Sequence, residues 1–160
     1  MAETSMAERE LLRHFLATLA YRAVRCLDGA PELFPRFDSG GGRTALVILT
    51  HMGDLLEWAL SMAEGQERWK PDAPEDWGRQ VQRFHRGLER LDQLLASATP
   101  LQAEGTRLLQ GPLADAMTHV GQLAILRRLA GAPVPRENFY LADVQKGRVG
   151  PGQPPPRKPF

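Results

Sequence analysis

The chain has one cysteine, Cys26, in 160 residues. A lone thiol excludes an intrachain disulfide framework and a paired-cysteine redox or metal motif. Charge of one sign is also lacking: 20 Lys and Arg stand against 19 Asp and Glu, for a net charge of +1. Neither nucleic acid nor an anionic membrane surface is expected as a partner, and there is no long basic stripe. No run approaches ~20 apolar residues, so the sequence predicts no transmembrane helix. The opening MAETSMAERELLRHF carries early acids and no uninterrupted apolar stretch, so no secretory signal is expected there. A reducing cytoplasmic compartment follows as the expectation. The apolar fraction of 42% suffices for one domain over residues 1–160, with a core of about residues 8–131 and a tail over 132–160.

Helical periodicity organises the first 131 residues. Over about residues 8–27, Leu11, Leu12, Phe15, Leu16, Leu19, Ala23 and Leu27 form an amphipathic stripe. Residues 28–42 are rich in Gly and Pro and break it. A second helix is predicted over about 43–64, stopped by Gly65. After the loop WKPDAPEDW, a third spans about 75–97. It sets Trp77, Val81, Phe84, Leu88, Leu91 and Leu95 at alternating spacings of four and three, a seam for helix-on-helix packing. Gly111-Pro112 is read as the opening of a fourth helix, which Gly131 ends near residue 130. The fold class is therefore all-α: a four-helix bundle with long connections and an irregular Pro/Gly-rich C-terminal tail. The 28–42 and 97–111 connections exceed usual bundle loops, so one of them is expected to cross the bundle. The proline-rich end reads as disordered. Phe139, Tyr140 and Leu141 carry enough apolar surface to pack back on the bundle or across a dimer.

The chemistry is concentrated in two predicted helices. Asp115 and His119 are four apart, so both lie on one face, ~6 Å apart along the axis, with Gln122 extending that face. Imidazole and carboxylate pre-aligned in this way suit a divalent metal. His51, in the apolar Leu49-Thr50-His51-Met52, is the natural third ligand, because a histidine among core residues needs partners for its ring nitrogens. Two imidazoles and a carboxylate leave coordination positions for water or substrate. The same residues also fit a plain structural hydrogen bond between Asp115 and His51.

The segments THMGDLLEW and DAMTHVGQL, together with the stretches LRRLAGAPVPRENFY and GRVGPGQ, resemble the DinB/YfiT-like superfamily of metal-dependent enzymes. His119, Gly121 and Gln122 form the most specific piece of that resemblance, which runs from about residue 8 to 153. It implies a bundle, often homodimeric, with a divalent metal (Ni, Zn, Fe or Mn) between the second and fourth helices. His51 and His119 match the family's ligand pattern, while Asp115 stands where the family usually has histidine. The implied activity is metal-dependent hydrolysis or thiol S-transfer on a small molecule, with a low-molecular-weight thiol as co-substrate. The Asp-for-His change favours an alternative: a non-catalytic binding or dimerisation module with a degenerate metal site.

Other residues carry two readings each. Gln122 orients His119 or sits on the surface. Asp54, three residues after His51, is a fourth ligand, a partner of one, or a solvated carboxylate. Trp58 lines the pocket or the core. Gly121 is expected to allow close helix packing. His85 reads as half-exposed and His14 as surface. Cys26 reads as a small core residue, and Arg127-Arg128 as cations at a helix C-terminus. Tyr21 has no fixed placement, and Arg157 and Lys158 read as solubilising.

Overall fold

The computed structural model describes residues 4–157, and Lys158 therefore lies outside the described residues. Four long helices, α1 (Met6–Leu27), α2 (Ala45–Ala63), α3 (Trp77–Ala96) and α5 (Ala114–Leu129), form the bundle. The one-turn α4 (Gly105–Leu108) and a π-helical turn (Leu109–Leu113) lead without a break into α5. No strand occurs among the described residues.

Local chemistry sets the helix ends. Ser5 and Glu8 form a capping box on α1, and the side chains of Thr44 and Asp76 accept from the backbone N–H of Val47 and Arg79 at the starts of α2 and α3. Gly65 and Gly131 adopt φ of 76° and 77° just past α2 and α5, as the stop signals predict. The start of the last helix differs from expectation. Gly111-Pro112 does not open it; Pro112 lies inside the π-turn, where the wider coil absorbs a residue that has no N–H to donate.

The helices pack as a square. α1 and α2 each contact both α3 and α5, so α1·α2 and α3·α5 are the diagonals. Arg9 and Arg13 of α1 bond to Ser97 and Asp92 at the end of α3, so those two helices run antiparallel. Gly53 and Leu56 of α2 meet Arg83 and Gly87 of α3, which makes that pair parallel. A parallel neighbour requires the chain to return along the bundle. The segment that does so is 64–76, not 28–42 or 97–111: Arg68 bonds to Ser61, Trp69 stacks on Trp58, and Asp72 bonds to Asp54. The loop read simply as a spacer is the crossover.

The core follows the predicted stripes. Leu12, Leu16, Leu19, Ala23 and Leu27 of α1 are buried, as are Phe84, Leu88, Leu91 and Leu95 of α3. Leu11 departs from its stripe and is 66% exposed. Contrary to the expectation from run length, α2 is long and apolar enough to cross a membrane by length and composition, and two-thirds of it is buried within the bundle. The tail is irregular but laid down on the protein rather than loose. Glu137, buried, accepts from Tyr21 Oη, Arg25 Nε and the backbone N–H of Arg157. Val149 is buried in the core, and its carbonyl lies 3.0 Å from His85 Nδ1 on α3. The tail thus covers the flank of α1 that its helical neighbours leave open.

Candidate metal centre

His51 sits mid-way along α2, the most apolar helix, and projects toward the first turns of α5. The π-turn ends at Leu113, and Asp115 and His119 follow it on one face of α5. His51 Nε2 lies 3.6 Å from Asp115 Oδ2, and His119 Nε2 lies 3.4 Å from Asp115 Oδ1. The two imidazole rings meet edge to face at 4.9 Å between centroids. One donor atom from each of the three residues lies within 4.8 Å of the others, so the cluster is able to hold a metal ion.

The donor set suits such an ion. Two ligands each ~2.1 Å from one metal and about 100° apart are separated by ~3.2 Å, close to the two observed N···O distances. His119 Nδ1 donates to Gln122 Oε1 at 2.8 Å, which fixes the tautomer and leaves the Nε2 lone pair facing Asp115 and His51. Burial holds the pKa of His51 below its ordinary value, and the neighbouring His119 adds to the effect while Asp115 opposes it. His119 is 5% exposed, whereas the Asp115 side chain is 48% exposed. The cluster is therefore anchored on its histidine side and open on its carboxylate side.

Two tryptophans complete the surroundings. Trp69, from the crossover, stands edge-on to His51 at 5.7 Å and to Trp58 at the same distance. The sequence reading missed Trp69, because helical periodicity says nothing of a loop's path; the only signal was an aromatic residue inside an otherwise polar linker. Asp54 is buried near His51, but its Oδ1 accepts from Arg83 Nη2 at 2.7 Å and from the backbone N–H of Asp72 at 3.0 Å. It ties the crossover and α3 to α2 and is not a member of the three-residue cluster. Arg83 also spans Glu57 with two bonds and reaches the Thr50 carbonyl. A Cβ on Gly53 would meet that guanidinium at 2.9 Å, which explains the glycine.

The remaining candidates have structural partners. His85 is buried rather than half-exposed, held by the Val149 carbonyl. His14 is on the surface. Cys26 is buried, its thiol pKa pushed up to about 11 by burial, so it is no nucleophile at neutral pH. Tyr21 is fully buried and donates to Glu137. Arg127 is also buried. It donates to the carbonyls of Cys26, Asp28 and Gly29 at the end of α1 and to Ala132 at the end of its own helix, so it caps two helices rather than one. No family model, no curated protein and no solved structure matches this chain.

Proposed function

We propose that the protein is a metal-dependent enzyme of the DinB-like kind, acting on a small molecule by hydrolysis or thiol S-transfer, with His51, Asp115 and His119 as its metal ligands. The observation that carries this reading is the convergence of two imidazole nitrogens and one carboxylate from two helices, with His119 locked by Gln122 in the tautomer that ligation requires. A divalent ion held there would lower the pKa of a coordinated thiol or water, so that the anion exists at neutral pH. The chain itself supplies the rest. Gln122 orients His119, the Asp54–Arg83 pair braces α2 against α3, and Trp58 and Trp69 form an aromatic wall beside the cluster. The open side at Asp115 admits a substrate.

The test is metal content after reconstitution with Ni, Zn, Fe and Mn in turn. Near-stoichiometric metal in the wild type, lost in His51→Ala, Asp115→Ala and His119→Ala with helix content retained, is the expected result. A wild type that binds none of the four, or a His119→Ala protein that keeps full occupancy, overturns the assignment. Binding should also raise the melting temperature, since a ligand at 100 times its dissociation constant stabilises the folded state by ~2.7 kcal/mol. The homodimer expected from the resemblance belongs to the same proposal, and sedimentation of the metal-loaded protein tests it.

A further inference from the structure

A cavity of about 470 Å3 lies between α1, α5 and the start of the tail. That volume falls within the ~300–1,000 Å3 of small-molecule sites. It is on the other side of α5 from the metal cluster. At 100° per residue, Asp115, His119 and Gln122 share one stripe, while Met117, Gly121, Ala124 and Arg128 lie about half a turn away. The cavity floor is apolar, formed by Met117, Val120, Ala124 and Val134.

Its walls are basic: Arg22, Arg25, Arg128 and Arg136 face a single carboxylate, Glu137. Glu137 is already committed to Tyr21, Arg25 and the backbone N–H of Arg157. The side chains of Arg22, Arg128 and Arg136 make no hydrogen bond or ion pair among the described residues. The Arg22 guanidinium carbon lies over the Phe139 ring at 3.9 Å from its centroid, a cation–π contact that holds the group beside the cavity without occupying its N–H donors in a hydrogen bond.

Gly121 adds an independent observation. A glycine inside a helix costs ~1 kcal/mol against alanine and calls for a packing reason. The expected reason, close helix contact, is absent: a Cβ there would meet nothing within 4 Å. The space beside Gly121 belongs to the cavity.

We propose that this cavity binds a small organic anion. Its carboxylate or phosphate group is met by Arg22, Arg128 and Arg136, and its apolar body lies on Met117, Val120 and Gly121. Guanidinium forks suit both oxygen groups, and the apolar floor excludes a bare inorganic ion as the best ligand. The site stands independently of the metal reading.

Calorimetric titration with decanoate, decyl phosphate, decanol and inorganic phosphate tests the proposal, with each amphiphile kept below its micelle concentration. Either decyl anion should bind, and the stronger of the two identifies the head group. Decanol and inorganic phosphate should each bind at least about tenfold more weakly, ~1.4 kcal/mol. Gly121→Trp, which fills the open space, should abolish binding. Arg136→Glu, on the exposed tail, should weaken it about tenfold and carries the test if Gly121→Trp melts early. The proposal fails if decanol binds as tightly as the decyl anions, if neither anion binds, or if both variants bind like the wild type.

Discussion

Gln122 is an exposed residue whose side-chain oxygen decides which nitrogen of His119 carries the proton. Gln122→Ala should lower metal affinity by about 10–100-fold, and Gln122→Glu, which keeps the acceptor, should restore most of it; competition against a chromogenic chelator measures both. Cys26 behaves in the opposite way, as a residue with chemistry it does not use. With its thiol pKa near 11, it should resist iodoacetamide at pH 7.5 and react at the normal rate only in denaturant, as mass spectrometry would follow. The cluster residues were legible because an i, i+4 pair on a helix fixes its own geometry, and because a histidine in the run LVILTHM has few alternatives to a partner. Trp69 was not legible, since its position depends on where a 13-residue loop travels. Asp54 was placed near the site by spacing, but spacing could not show that Arg83 competes for it.

The elements are joined by buried arginines at helix ends. Arg9 donates to the carbonyls of Leu94, Ser97 and Thr99 where α3 stops, much as Arg127 does for α1. Carbonyls at a helix C-terminus lack the full set of intrahelical donors, and a cation there also opposes the helix dipole. Arg127→Met keeps the stem but removes every donor, and should destabilise the fold by ~2–4 kcal/mol in denaturant titration. The helix stops at Gly65 and Gly131 were readable because such caps are local, whereas the caps at Ser5 and Asp76 emerged only in the folded chain. The π-turn was not, because a Gly-Pro pair signals a helix start by local rules and only the continuous coil from Gly105 overrides them. His85 shows the same limit: its partner is a carbonyl 64 residues away. Burial holds its pKa below the ordinary 6.5, so the folded state favours neutral imidazole while the unfolded chain takes up a proton near pH 6.5. Its contribution is complete above pH 6.5 and is lost as pH falls below that value, with a slope of at most ~1.4 kcal/mol per unit. His85→Gln should flatten that part of the stability-against-pH curve measured between pH 7 and 5.

At the scale of the molecule, the bundle is completed by its tail. Four helices in a square cover each other's inner faces, but α1 has an outer flank that carries Tyr21 and Arg25. Glu137 and Pro154 satisfy that flank. Removing residues 133–160 should leave Tyr21 without its acceptor, uncover Val149's place in the core, and lower the melting temperature by roughly 10 °C or more, as thermal denaturation followed by circular dichroism would report. The surface the tail presents is itself apolar, with Tyr140 95% exposed and Leu141 half exposed. Composition bears on the tail only through its prolines, which disfavour a fifth helix there. It could not predict the tail's order, which comes from single contacts to distant residues.

Those contacts also bear on how quickly the native state is reached. Tyr21 meets Glu137 across 116 residues and Arg25 meets Pro154 across 129. Helical bundles generally fold fast because their contacts are near in sequence, and here the first helix is closed only by a segment more than a hundred residues away. Chain-closure entropy for that step accumulates before any contact offsets it. In refolding, protection of the α2 and α3 amides should precede protection around α1. During synthesis, α1 must wait with an unfinished flank until residues 137–154 have been added.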